Sequence, residues 1–86
     1  METILECAIR EETTNLIYKV PSPGRHHDVI RVMIELGCSI PIMGEQGFIT
    51  STERFVDRQE AGQIALDSKQ IPRLSFPPRL HSEDLW

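Results

Sequence analysis

The sequence predicts an α+β fold: a small antiparallel sheet with two helices, in the order β-β-α-β-β-α, and an extended C-terminal tail. Three observations carry this. Short apolar segments with period-two spacing occur in pairs, each pair joined by a short polar link. Two longer segments space their apolar residues as one face of a helix requires. Periodicity then dissolves from Pro72 onward, where three of the chain's six prolines fall. Eighty-six residues accommodate one domain, placed at 1–71, with residues 72–86 as a tail packing on that domain or on a neighbouring subunit. A chain this short buries only a little over ~60% of its unfolded surface, so a deep enzyme cleft within one subunit is hard to build.

The first pair of strands is read at 3–9 and 15–20, with the polar link Arg10–Thr14 between them. Pro21-Ser-Pro-Gly24 interrupts the pattern, and Ser22 before Pro23 suits an N-cap and first helical position. Val29, Ile30, Met33 and Leu36 form one apolar stripe of the helix that follows, and Gly37 ends it. The second pair of strands is read at 47–50 and 54–56 around Ser51-Thr-Glu53. Asp57-Arg-Gln-Glu60 has capping-box spacing and opens the second helix, with Ala61, Ile64, Ala65 and Ile71 on its buried side. The tail holds Leu74, Phe76, Leu80, Leu85 and Trp86, more apolar residues than a disordered segment carries.

Composition narrows the function. Nine Lys+Arg against thirteen Asp+Glu give a net charge of −4, which argues against duplex DNA as a partner. No apolar run is long enough for a membrane span, and Glu2 and Glu6 sit where a signal peptide would be basic and then apolar. With only Cys7 and Cys38, no disulfide framework is expected, and the chain is expected in the cytoplasm with free thiols. Seven of the nine basic residues are arginines, whose planar fork grips phosphate or carboxylate with two bonds.

Three constellations could bind a ligand. Gly24-Arg-His-His-Asp28 puts Arg25, His26 and His27 at a helix start, where free N–H groups and the dipole attract phosphate; the alternative is a solvated first turn. The two histidines point about 100° apart on a helix, which suits no shared metal, and no metal or cofactor is expected. In Gln46–Arg58, strand alternation places Phe48 and Thr50 on one face. Gln46, Thr50, Ser51 and Arg54 offer hydrogen bonds there, and Phe48 offers a stacking surface; the alternative makes Phe48 core. In Ser82-Glu-Asp-Leu-Trp86, Ser82, Glu83 and Asp84 could read ribose hydroxyls while Trp86 stacks or docks. Nucleophilic catalysis finds no motif: Cys7 lies in a strand, Cys38 follows a helix C-terminus, and neither a G-x-S-x-G nor a phosphate loop is present.

The motifs Gly-Arg-His-His-Asp (24–28), Gln-Gly-Phe-Ile-Thr-Ser (46–51), Arg-Phe-Val-Asp-Arg with Glu-Ala (54–61) and Ser-Glu-Asp-Leu-Trp (82–86) resemble a group of short bacteriophage and prophage proteins. The resemblance covers residues 24–86. It implies that His26, His27, Gln46, Thr50, Ser51, Arg54, Asp57, Arg58, Ser82, Glu83 and Asp84 recur, a polar set larger than caps and turns require. By analogy of type, such a chain is expected to be a counter-defence protein in the bacterial host cytoplasm. It would bind and sequester a nucleotide immune signal, a cyclic nucleotide or ADP-ribose derivative, without catalysis, in a pocket completed by homo-oligomerisation. Arg25 and the helix start would hold phosphate, with Arg54 or Arg58 on the base or the phosphates. Two other readings stay open: a protein–protein inhibitor or adaptor such as an anti-CRISPR, and a small phosphodiesterase with His26 and His27 as acid and base.

Overall fold

The computed structural model describes every residue from Met1 to Trp86. Strands β1 (Ile4–Glu11), β2 (Ile17–Val20), β3 (Gly44–Thr50) and β4 (Phe55–Asp57) form one antiparallel sheet in the order β2-β1-β3-β4. Helices α1 (His26–Glu35) and α2 (Arg58–Asp67) complete the expected β-β-α-β-β-α order. A short helical turn, α3 (Ser82–Leu85), lies in the tail.

Cross-strand register explains the two faces of the sheet. Cys7 pairs with both Val20 and Phe48, and Phe48 pairs with Val56, so one row of side chains faces the helices. That row joins Val29 and Met33 of α1 and Ala61 and Ala65 of α2 in one core. The opposite face carries ion pairs instead: Lys19 with Glu6, and Arg10 with Glu45, the Arg10 guanidinium also lying over the Phe55 ring. β3 begins three residues earlier than sequence spacing suggests, because β1 runs on to Glu11 and pairs with Gly44 there. At its other end β1 carries a bulge at Leu5. The side-chain amide of Gln70 takes the place of a strand beside it, accepting from Ile4 N at 2.6 Å and donating to Ile4 O at 2.9 Å.

Helix α1 starts at His26 rather than Pro23. Gly24 N donates to Pro21 O at 2.8 Å and closes a turn first, which leaves Arg25, in extended conformation, as the N-cap in place of Ser22. The Asp28 carboxylate accepts from Arg25 N at 2.9 Å. The stripe shifts accordingly: His26, Val29 and Met33 are buried, whereas Leu36 at the C-cap is exposed. Gly37 ends the helix with φ +92°, a conformation that favours glycine. For α2, Asp57 accepts from Glu60 N at 2.8 Å as the capping spacing requires. The reciprocal half of the box is not made, because the Glu60 carboxylate pairs with Arg54 at 2.8 Å.

The tail returns across α2 at Gly62, where an added Cβ would stand 2.7 Å from Pro78 O. Leu80 is fully buried, and its N–H donates to Arg58 O at 2.9 Å. Asp84 accepts from His81 N and Ser75 N, and Trp86 Nε1 donates to Gly24 O at 3.2 Å. Phe76 alone of the tail's large apolar residues stays strongly exposed. The tail therefore packs on its own domain and is expected to unfold with it. Leu80→Ala is expected to lower unfolding free energy by about 2–5 kcal/mol, as for buried leucines generally; urea denaturation measures it, and a loss under about 0.5 kcal/mol, typical of surface sites, would place the tail outside that cooperative unit.

Candidate functional site

The inward face of β3 presents Gln46, Phe48 and Thr50 in line, and a strand rise of about 3.4 Å per residue separates the outer two by about 14 Å. Phe48 between them is fully buried, so its ring is core and presents no stacking face. The polar residues singled out in the sequence consequently divide into two groups, one at each end of that face.

At the Gln46 end, the buried His26 ring stands edge-on to Phe48 with centroids 5.0 Å apart. Its Nε2–H donates to Gly47 O at 2.8 Å, which leaves Nδ1 as the acceptor facing Arg58 Nη2 at 3.4 Å. Burial, chiefly, holds the imidazole below its ordinary pKa. Arg58 donates from Nη1 to Leu80 O at 2.8 Å and from Nη2 to Gln46 Oε1 at 2.5 Å. Arg25 bonds Trp86 O and pairs with Glu83 at 3.4 Å, while Ser82 Oγ donates to Glu83 Oε1 at 2.7 Å. The Ser82 bond lowers the Glu83 pKa. Beneath them, burial pushes the Cys7 thiol up to about 11, so it is no nucleophile.

Outside Arg58 and Gln46 lies an open depression of about 310 Å³. It is lined by Glu45, Gln46, Asp57, Arg58, Gln59 and Arg79, with no apolar side chain among them. Arg79, Glu45 and Gln59 escaped the sequence reading. The arginine excess was the one signal pointing to Arg79.

At the Thr50 end, the Glu2 carboxylate sits among Thr50, Thr52 and Arg54. Ser51 ties down the start of β1: its Oγ accepts from Thr3 N at 2.9 Å and its N–H donates to Thr3 O at 2.8 Å. Nothing in local spacing announced Glu2, which meets Arg54 from 52 residues away. Three predicted residues join neither group as ligand donors. His27 is exposed and faces Asp28, Asp84 caps its own turn, and Trp86 closes over the α1 N-terminus. No cluster of three or more His, Cys, Asp or Glu side chains is placed to hold a metal ion, and no helix is long and apolar enough to cross a membrane.

The profile of a family described as phage T4 y16D protein matches residues 3–86, nearly the whole chain. The chain belongs to the phage T4 y16D protein family. Among curated proteins and solved structures, none matches. The y16D family match takes in the N-terminal hairpin, which the motif resemblance had left out, and it includes both ends of the β3 face.

The buried His26 makes stability pH-dependent in a defined direction. The unfolded chain takes up its proton near the ordinary value of 6.5 and the folded chain only at lower pH. Between the two the unfolded state binds more protons, so stability declines as pH falls below about 6.5. Denaturation midpoints across pH 5 to 7 should show this decline. In His26→Asn, which retains an amide donor but does not titrate, it should flatten; an unchanged slope would assign the effect elsewhere.

Proposed function

We propose that this y16D-family chain is a non-enzymatic binding protein that sequesters a phosphate-bearing nucleotide signal of bacterial immunity, a cyclic nucleotide or an ADP-ribose derivative, in the host cytoplasm. The observation that carries the reading is the wholly polar depression at Arg58 and Arg79, about 310 Å³, at the lower end of small-ligand sites. Arg58 is held in place by Gln46 and Leu80, so one guanidinium is preorganised for a phosphate, and exposed Arg79 supplies a second. Glu45 and Asp57 are acceptors for ribose hydroxyls, and Gln46 and Gln59 for a base edge. This moves the phosphate contact from Arg25, which Glu83 and Trp86 already engage, to the arginines on the far side of Gln46. Binding without turnover is favoured because both His26 ring nitrogens have partners, while His27 points to solvent and shares no target with it. The open rim favours a homo-oligomer, in which a neighbouring copy supplies the missing wall.

A protein-inhibitor reading has one observation behind it. Leu36 and Met43, both exposed, line a separate depression of about 320 Å³, and exposed Ile40 stands between Ser39 and Pro41 on its border.

The deciding experiment incubates purified protein with cyclic dinucleotides, cyclic trinucleotides and ADP-ribose isomers, then removes and heats it, with mass spectrometry of both fractions. The expected result is one compound depleted from solution and returned intact. Arg79→Ala should weaken capture by about 10- to 100-fold, the loss of one charge-assisted bond, without changing the unfolding midpoint. Return of a new mass would make the protein an enzyme. Capture of nothing would overturn the nucleotide reading and leave the depression at Leu36 and Met43 as the surface of interest.

A further inference from the structure

The far end of the β3 face has the chemistry of an anion site already in use. Three donors converge on a single oxygen, Glu2 Oε2: Thr50 Oγ1 at 2.5 Å, Thr52 Oγ1 at 2.6 Å and Arg54 Nε at 2.7 Å. Arg54 Nη2 reaches the second oxygen, Oε1, at 2.8 Å and completes a two-bond fork. An exposed ion pair needs one such contact, and four directed donors on one carboxylate form a cradle.

The backbone of the cradle and one edge of its guanidinium are held by contacts that do not involve Glu2. Thr50 N–H donates to Arg54 O at 3.0 Å and Glu53 N–H to Thr50 O at 2.9 Å, which close the turn that carries all three residues. Thr50 is fully buried, and its hydroxyl lies 3.0 Å from that of Thr52. From the other side Glu60 fixes the Arg54 guanidinium through Nη1 at 2.8 Å, leaving Nε and Nη2 directed at the carboxylate.

We propose that Thr50, Thr52 and Arg54 form a binding site for a phosphate group, which the Glu2 carboxylate occupies as an intramolecular stand-in and which a ligand claims by displacing it. Two oxygens of a phosphate present the same fork as a carboxylate, and the group's further oxygens and second charge favour it in exchange. Displacement requires only rotation of the Glu2 side chain, since the backbone at Thr3 stays pinned by Ser51. The donors hold the Glu2 carboxyl down at a pKa of about 2, which accords with a site selective for anions. This site is independent of the Arg58–Arg79 depression, and its test uses different residues.

Inorganic phosphate is the probe. It is titrated into wild type, Glu2→Ala and the double variant Glu2→Ala/Arg54→Gln, following the backbone amides of residues 50–54 and the Arg54 Nε–H by NMR. Removing the internal competitor is expected to tighten phosphate binding by about tenfold or more, with shifts confined to the turn, and the double variant should lose it. Should Glu2→Ala not fold, Glu2→Gln, which drops the charge and keeps the length, takes its place with the same expectation. A folded Glu2 variant whose turn resonances stay still at millimolar phosphate, or whose affinity equals that of wild type, overturns the proposal.

Discussion

The guanidinium of Arg58 is where the architecture converges. It stands at the first position of α2 and bonds Gln46 on β3 and Leu80 O in the tail, with His26 of α1 alongside. One side chain therefore ties together four segments that sequence distance keeps apart. A half-buried cation is tolerated only when acceptors replace its lost water, and burial alone would disfavour its charge. The acceptors here are a side-chain amide and a main-chain carbonyl, with a neutral imidazole nitrogen facing them, rather than a carboxylate. Such a cation keeps its positive field instead of being neutralised by a partner, and the field reaches the depression outside. The stability of the join and the phosphate contact proposed for Arg58 rest on the same choice of neutral partners.

His26 depends on that choice. Its Nε2 proton is committed to Gly47 O, so Nδ1 must accept, and Arg58 supplies the facing donor. A protonated ring would set two cations against each other in the core beside Phe48. The tautomer, the low affinity of the ring for a proton and the position of α1 against β3 are thus one constraint. It also explains why α1 begins late. A helix begun at Pro23 would give His26 a different exit angle from the turn at Gly24, whereas starting at His26 puts the ring on the stripe with Val29 and Met33.

Local signals were legible in the sequence, and long-range ones were not. Asp57 as a cap, Gly37 as a terminator, the four strands and the inward alternation of Phe48 and Thr50 all follow from spacing within a few residues. The start of α1 was misplaced because Ser22 and Pro23 have the chemistry of a helix start, and nothing local shows that Gly24 turns back to Pro21 first. Several of the polar residues singled out in the sequence find partners from elsewhere in the chain. Arg25 meets Glu83, Gln70 meets Ile4, and Arg54 meets Glu2. Periodicity assigns a residue to a face and is silent on which distant acceptor will face it.

That silence bears on how a polar-rich short sequence should be read. A hydrogen-bonding residue answered by another residue of the same chain serves the fold, and ligand capacity rests with groups that have bonds left over. Arg25, Ser82 and Asp84 are answered internally. Arg79 remains exposed beside a cation with neutral partners. Arg54 is answered, yet by a carboxylate held in a cradle whose backbone the turn sets through its own hydrogen bonds. The distinction between an internal partner and a stand-in rests on whether the donors stay in place once the partner leaves. At Thr50 the strand, the turn and Glu60 keep them in place. At Arg25 the N-cap backbone stays fixed by Asp28, but the guanidinium loses both its acceptors with the tail. The end of the β3 face whose donors are also held by the strand, the turn and Glu60 is therefore the one proposed to take an exchangeable anion.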